Sequence, residues 1–152
     1  RSFLRQYADL SKVTVLNLKD SSAQNTIMKL MAESSMYQNE HNEAEVQAVE
    51  RLLSSQHHLN LLGMGIEIAD EAVGFIIIEL LSDAQCIGHF WRCKNTYKGV
   101  YKFFMHEVAK HLVTLDCTRM NIEQDLGIRG LRMAKEHLVP KDYLRKFVVH
   151  TA

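Results

Sequence analysis

The chain is poor in the residues that break or staple a fold. Its 152 residues include one proline, Pro140, and seven glycines, which excludes collagen-like and linker-type composition. Cys86, Cys93 and Cys117 are odd in number and have no CxxC spacing, which argues against a disulfide scaffold and points to a reducing, cytoplasmic compartment. His57, His58, His106, His111, His137 and His150 lack the spacing and partner ligands of a zinc site, so no metal is expected. Excess charge of one sign is missing too. Eighteen Lys and Arg balance eighteen Asp and Glu, so no whole-chain field draws the protein to nucleic acid or an anionic membrane, and any basic site must be local. The longest apolar run, Ala72 to Ile78, is closed by Glu71 and Glu79, far short of the roughly 18 residues of a spanning helix. No initiator Met or apolar signal stretch precedes Arg1-Ser2-Phe3, which reads as a piece of a longer protein with an N-terminal part missing.

What is present is 47% hydrophobic residue content patterned over one domain's length, residues 1–152. Alternation over Lys12 to Leu18 predicts a strand, and Asp20-Ser21-Ser22 caps a helix carrying Ile27, Leu30, Met31 and Ser34. Asn42 is placed to cap a helix from Glu43 to Ser55, with Val46, Val49, Leu52 and Leu53 inward and Glu45 and Glu50 outward. Leu61 to Ile68 and Val73 to Leu81 form a hairpin about Ala69-Asp70-Glu71, the second arm nearly continuously apolar as in a strand covered on both faces. Ser82-Asp83 turns the chain into a third strand, Gln85 to Cys93. A long helix then carries Val100, Phe103, Phe104, Val108 and Leu112 on one face, followed by a strand from Cys117 to Ile122, a basic helix from Gly127 to His137 and a last strand from Tyr143 to His150. The sum is an α/β domain with one mixed, mostly antiparallel sheet flanked by helices.

Two segments carry candidate chemistry. In the first, Arg92 to Tyr101, a strand delivers the turn Lys94 to Gly99 into the long helix, where backbone N–H groups and the helix dipole favour an anion and Lys94, Lys98 and Lys102 add charge, so that Lys98 and Gly99 hold phosphate or the turn is an ordinary one with solvated lysines. Tyr101 either lines this crevice or packs the helix start. The second is Asn121-Ile122-Glu123-Gln124-Asp125-Leu126-Gly127-Ile128-Arg129-Gly130-Leu131-Arg132-Met133-Ala134-Lys135. Glu123, just past a strand end, is placed to take a proton from an amine or hydroxyl. Asp125 either binds substrate or caps the next helix, and Arg129, Arg132 and Lys135 make a basic face for phosphate or an ordinary solvated one. His89, in the third hairpin strand beside Trp91, is the histidine best placed for acid or base work.

The element order resembles the Gcn5-related N-acetyltransferase (GNAT) fold. The Asn-x-Glu-x-Asp-Leu-Gly-x-x-Gly-Leu-Arg-x-x-Lys stretch from Asn121 to Lys135 resembles the signature of the phosphatidylglycerol lysyltransferase C-terminal domain and its bacterial relatives of unknown function. Glu45, Ala48, Val49, the Tyr97-to-Tyr101 turn and Tyr143 to Val148 extend the resemblance more thinly. It implies the second of two tandem GNAT-like domains, with an N-terminal GNAT-like domain as partner. It implies transfer of an aminoacyl group from aminoacyl-tRNA to an amine or hydroxyl such as a phospholipid headgroup. Glu123 and His89 would then handle protons, and Lys98, Gly99, Tyr101, Asn121, Asp125, Arg129, Arg132 and Lys135 would bind substrate or phosphate. The location implied is cytoplasmic, at the inner face of the membrane. A coenzyme A-dependent N-acetyltransferase, with acetyl-CoA as cofactor, is a further reading that the fold suggests, but GNAT enzymes hold the pyrophosphate with more glycines than the lone Gly99. Members often carry His-x-Glu-Lys in the third hairpin strand, where this chain has His89-Phe90-Trp91-Arg92, so the resemblance implies that Trp91 replaces a carboxylate. That substitution favours the rival reading, a noncatalytic docking module.

Overall fold

The structure is a computed structural model that describes residues 3–33, 40–147 and 149. It divides into two compact units, Arg1–Asn121 and Ile122–Ala152.

In the first unit a short helix, α1 (Phe3–Tyr7), precedes strand β1 (Ser11–Leu16) and helices α2 (Ser21–Glu33) and α3 (Glu40–Ser54). Strands β2 (Leu61–Ile68), β3 (Glu71–Leu80) and β4 (Gln85–Cys93), helix α4 (Val100–Thr114) and strand β5 (Arg119–Asn121) complete it. The strands form one sheet in the order β1-β2-β3-β4-β5, antiparallel except for the parallel β4–β5 pair. The β2–β3 connection is the two residues Ala69 and Asp70, both at positive φ as a type I′ hairpin turn requires.

β3 is apolar from Ala72 to Ile78, between Glu71 and Glu79, because both its faces are covered there. Phe75 and Ile77 meet Ile27, Leu30 and Met31 of α2 and Val49 and Leu53 of α3. Ile76 and Ile78 point the other way, into a cluster with Met64, Ile66 and the α4 residues Phe104, Val108 and Leu112. Each such fully buried side chain contributes about 1.5–3 kcal/mol. The two clusters clamp the sheet between α2/α3 and α4, which fixes the backbone of β4.

Several boundaries differ from expectation. β1 stops at Leu16 because Asn17 turns the chain: its carbonyl accepts the Asp20 N–H at 2.9 Å and its Oδ1 the Lys19 N–H at 3.2 Å. Asp20 does take the predicted capping bond, accepting the Ser22 N–H at 2.9 Å. Ser34 lies outside the described residues. α3 begins at Glu40, so Asn42 lies inside it and is not its cap. Glu45, expected to face solvent, instead pairs with Arg92 of β4. β5 is three residues long, since the Cys117 N–H closes the end of α4 on the Leu112 carbonyl and pairing with β4 starts only at Arg119.

In the second unit a turn leads into helix α5 (Arg129–Glu136), shorter than predicted because Gly127, at φ +75°, stands outside it. The expected last strand is not formed: residues 143–147 and 149 belong to no ladder, and Val148 and His150 lie outside the described residues. Alternation is a local signal, whereas a strand exists only where another strand takes its hydrogen bonds.

Candidate functional site

The register of β4 on β3 slips where Ile77 faces Phe90 and Ile78 faces Gly88, leaving His89 as the extra residue of a bulge. A bulge bends the strand and re-aims a side chain. The imidazole Nε2 of His89 lies 2.7 Å from Oε2 of Glu79, and each side chain is 23% exposed. Such a carboxylate–imidazole pair can accept a proton and balance the charge that results. Sequence reading missed Glu79, although its position closing the apolar run was a signal. Pairing between β4 and β5 ends at Ile87 with Asn121, so from Gly88 onward β4 is laddered to β3 alone among the described residues. A Cβ at Gly88 would fall 2.5 Å from Cε of Met120, the free end of a flexible side chain on β5.

Trp91 points to the α4 side. Its indole stacks on Tyr101 at 4.4 Å and meets Phe104 edge-on at 5.9 Å. The indole Nε1 is buried and makes no full hydrogen bond; the Cys93 sulfur is only a weak acceptor for it. Burial dominates nearby, pushing both the Cys93 thiol and the Tyr101 phenol up to about 12. Where the resemblance led to a carboxylate, the chain has an aromatic stack.

The turn after β4 was read as a phosphate cradle, yet Lys94 is taken by two carboxylates, Glu71 at 2.7 Å and Glu33 at 2.8 Å. Tyr97 Oη also donates to Glu71, at 2.9 Å. Lys94 holds both carboxyls below their ordinary range, and Glu33 and Glu71 in turn raise Lys94. Gly99 takes the left-handed conformation at φ +93° at the α4 N-cap, with Phe3 of α1 against it. Lys98 is exposed. One glycine and a lysine already neutralised by two glutamates do not fit the pyrophosphate of coenzyme A.

In the second unit the signature residues bind one another. Asp125 accepts the Gly127 N–H at 2.9 Å and receives Arg132 through Nε at 2.5 Å and Nη2 at 3.3 Å. Arg132 and the Gly127 N–H hold the Asp125 carboxyl at about 2. Asp125 therefore braces a turn and does not cap α5, whose N-cap is Ile128 without a side-chain bond. Lys135 donates to the carbonyls of Ile122 and Gln124. Its pKa is pulled down by burial, against the charges of Glu123 and Asp125. Glu123 is exposed and held at φ +58°, and Arg129 is exposed at the first position of α5. The sequence candidates thus fall into two sets: His89, Lys98, Gly99, Tyr101 and the exposed Asn121 in the first unit, and Glu123, Asp125, Arg129, Arg132 and Lys135 in the second. Among the described residues no three His, Cys, Asp or Glu gather as a metal site, and no helix is long and apolar enough to cross a membrane.

A five-stranded mixed sheet with α2 and α3 on one face and α4 on the other defines a GNAT-like α/β fold, and solved structures agree. The chain is similar to a conserved protein of unknown function from Bacteroides thetaiotaomicron, at 23% identity and a TM-score of 0.77 over 92% of this chain. It spans 47% of that protein's chain. It is also similar to the ribosomal-protein-alanine N-acetyltransferase of Brucella melitensis, at 14% identity and a TM-score of 0.66, covering 93% of this chain and 99% of that one. A third similar structure is the PaiA N-acetyltransferase of Thermoplasma acidophilum in complex with coenzyme A, at 18% identity and a TM-score of 0.60, covering 84% and 87%. No curated protein matches. At the level of sequence the assignment is narrower: residues 4–150 match the family described as phosphatidylglycerol lysyltransferase, C-terminal, and the chain belongs to it.

Proposed function

We propose that this chain is the acyl- or aminoacyl-transferring half of a longer protein, paired with an N-terminal GNAT-like domain and working on the cytoplasmic side of a membrane. The observation that carries the reading is the family match along nearly the whole chain. The donor is aminoacyl-tRNA and the acceptor an amine or hydroxyl such as a phospholipid headgroup. The acceptor attacks the ester carbonyl, the bond to the ribose oxygen breaks, and the acceptor's proton passes by way of a base to that leaving oxygen. His89 is the base the geometry supports best, because Glu79 at 2.7 Å balances the imidazolium. Glu123 is the second candidate base. Lys98, Gly99, Tyr101, Asn121 and Arg129 remain candidate substrate contacts, while Asp125, Arg132 and Lys135 act first by shaping their own turn. Positioning of the two substrates, with no protein nucleophile, suffices for attack on an activated ester.

A second reading, a noncatalytic docking half, is favoured by the packing of Trp91 on Tyr101 and Phe104 where the relatives carry a carboxylate. The two separate in transfer assays of the intact parent protein with labelled aminoacyl-tRNA and phosphatidylglycerol. His89→Gln should lower turnover about a hundredfold or more, as loss of a general base does. Full turnover in His89→Gln would pass the role to Glu123, tested by Glu123→Gln. If both variants keep full turnover, neither is the base, and if the intact wild type transfers nothing to any acceptor, the docking reading stands.

A further inference from the structure

The cations that the sequence placed on α5 as a phosphate-holding face are partly committed inside the second unit, Arg132 to Asp125 and Lys135 to two carbonyls. Further along the same unit lie Lys141, Arg145 and Lys146, all exposed, with Asp142 the one acid among them. The apolar side chains interleaved with them are exposed to an unusual degree: Val139, Tyr143, Leu144, Phe147 and Val149 each show between 73% and 88% of their surface. Single exposed apolar residues are ordinary, but five within so short a stretch need an occupant. The mixture says which kind. The core of a protein–protein interface is depleted in lysine, whereas an anionic bilayer surface takes up cations at its headgroups and aromatic and aliphatic side chains at the acyl boundary.

We propose that the segment from Val139 to Phe147, with Val149, is a membrane-surface contact that seats this half of the protein on an anionic bilayer. It extends the proposed reaction with a phospholipid acceptor, and it stands apart from that reaction because it needs neither His89 nor Glu123 nor a donor. Tyr143, Leu144 and Phe147 enter the acyl boundary while Lys141, Arg145 and Lys146 meet lipid phosphates.

The test is sedimentation of the whole chain with vesicles of equimolar phosphatidylglycerol and phosphatidylcholine, and with phosphatidylcholine alone. The wild type should sediment with the mixed vesicles at low salt, weaken as salt screens the charges, and ignore pure phosphatidylcholine. Lys141→Gln/Arg145→Gln/Lys146→Gln should weaken binding by about fivefold per cation, roughly a hundredfold in all. Leu144→Asp/Phe147→Asp should abolish it with circular dichroism unchanged, since both side chains are exposed. Failure of the wild type to bind mixed vesicles at low salt would overturn the proposal, as would wild-type binding by both variants. So would self-association of the wild type in sedimentation equilibrium, lost in Leu144→Asp/Phe147→Asp, because the occupant would then be protein. A chain that binds vesicles while its parent transfers nothing supports the seat and removes only the proposed reaction.

Discussion

Trp91 is the chain's one tryptophan, and its surroundings predict an unequal response to two truncations. Trp91→Phe keeps an aromatic ring against Tyr101 and Phe104 and deletes the buried Nε1–H that lacks a full partner. Removing that donor recovers a desolvation cost of about 1–3 kcal/mol. Losing the rest of the indole forfeits roughly two methylene equivalents of burial, about 1.6 kcal/mol. The two nearly cancel, so Trp91→Phe should lie within about 1 kcal/mol of wild type. Trp91→Ala removes the stack itself and should cost about 3 kcal/mol, the low end of the range for aromatic truncation because Trp91 is only partly buried. For a domain of this size about 2–4 °C of Tm follow each kcal/mol, which separates the variants well. Urea and thermal unfolding should be followed by far-UV circular dichroism, because the substitution removes the indole fluorophore. If Trp91→Phe costs as much as Trp91→Ala, the indole N–H makes a bond that matters and the reasoning fails. Trp91→Glu, which introduces the carboxylate that the family resemblance implies at this position, should cost at least as much as Trp91→Ala and leave transfer by the parent protein no higher, because the carboxylate enters the space between two aromatic rings.

Two further outcomes follow from the backbone and from charge. Gly74→Ala would put a Cβ 2.8 Å from the Arg92 carbonyl oxygen, 2.8 Å from Cys93 Sγ and 3.1 Å from Ile66 Cγ2, so β4 must shift at a cost of about 1–3 kcal/mol. Gly130→Ala meets nothing within 4 Å inside α5 and should be neutral or stabilising by up to about 1 kcal/mol; thermal melts that ranked the two the other way would refute both readings. The folded Asp125 carboxyl sits at about 2, below its unfolded value near 3.9, so its clamp on Arg132 contributes fully above about pH 4 and is lost as pH falls through about 2. Titration of the Gly127 amide shift by NMR should show that low midpoint, and Asp125→Asn should remove it; an ordinary carboxylate midpoint in the wild type would show that the clamp is not formed in solution.

The sequence alone determined the order of elements from β1 to α5, the cover on both faces of β3 and the membership signalled by Asn121 to Lys135. These are local or periodic properties: the apolar run of β3 and the stripes of α2, α3 and α4 dictate which faces must be covered, whatever covers them. Tertiary structure decided what depends on a partner distant in the chain. The pairing of His89 with Glu79 needs the β4 bulge, and the capture of Lys94 by Glu33 and Glu71 needs the end of α2 beside the β2–β3 turn. Arg92 finds Glu45 only because α3 packs on the sheet. The segment after Lys141 shows the same rule from the other side: its β-like composition was legible, but its ladder was not, since a strand's hydrogen bonds belong to whichever neighbour the fold brings to it.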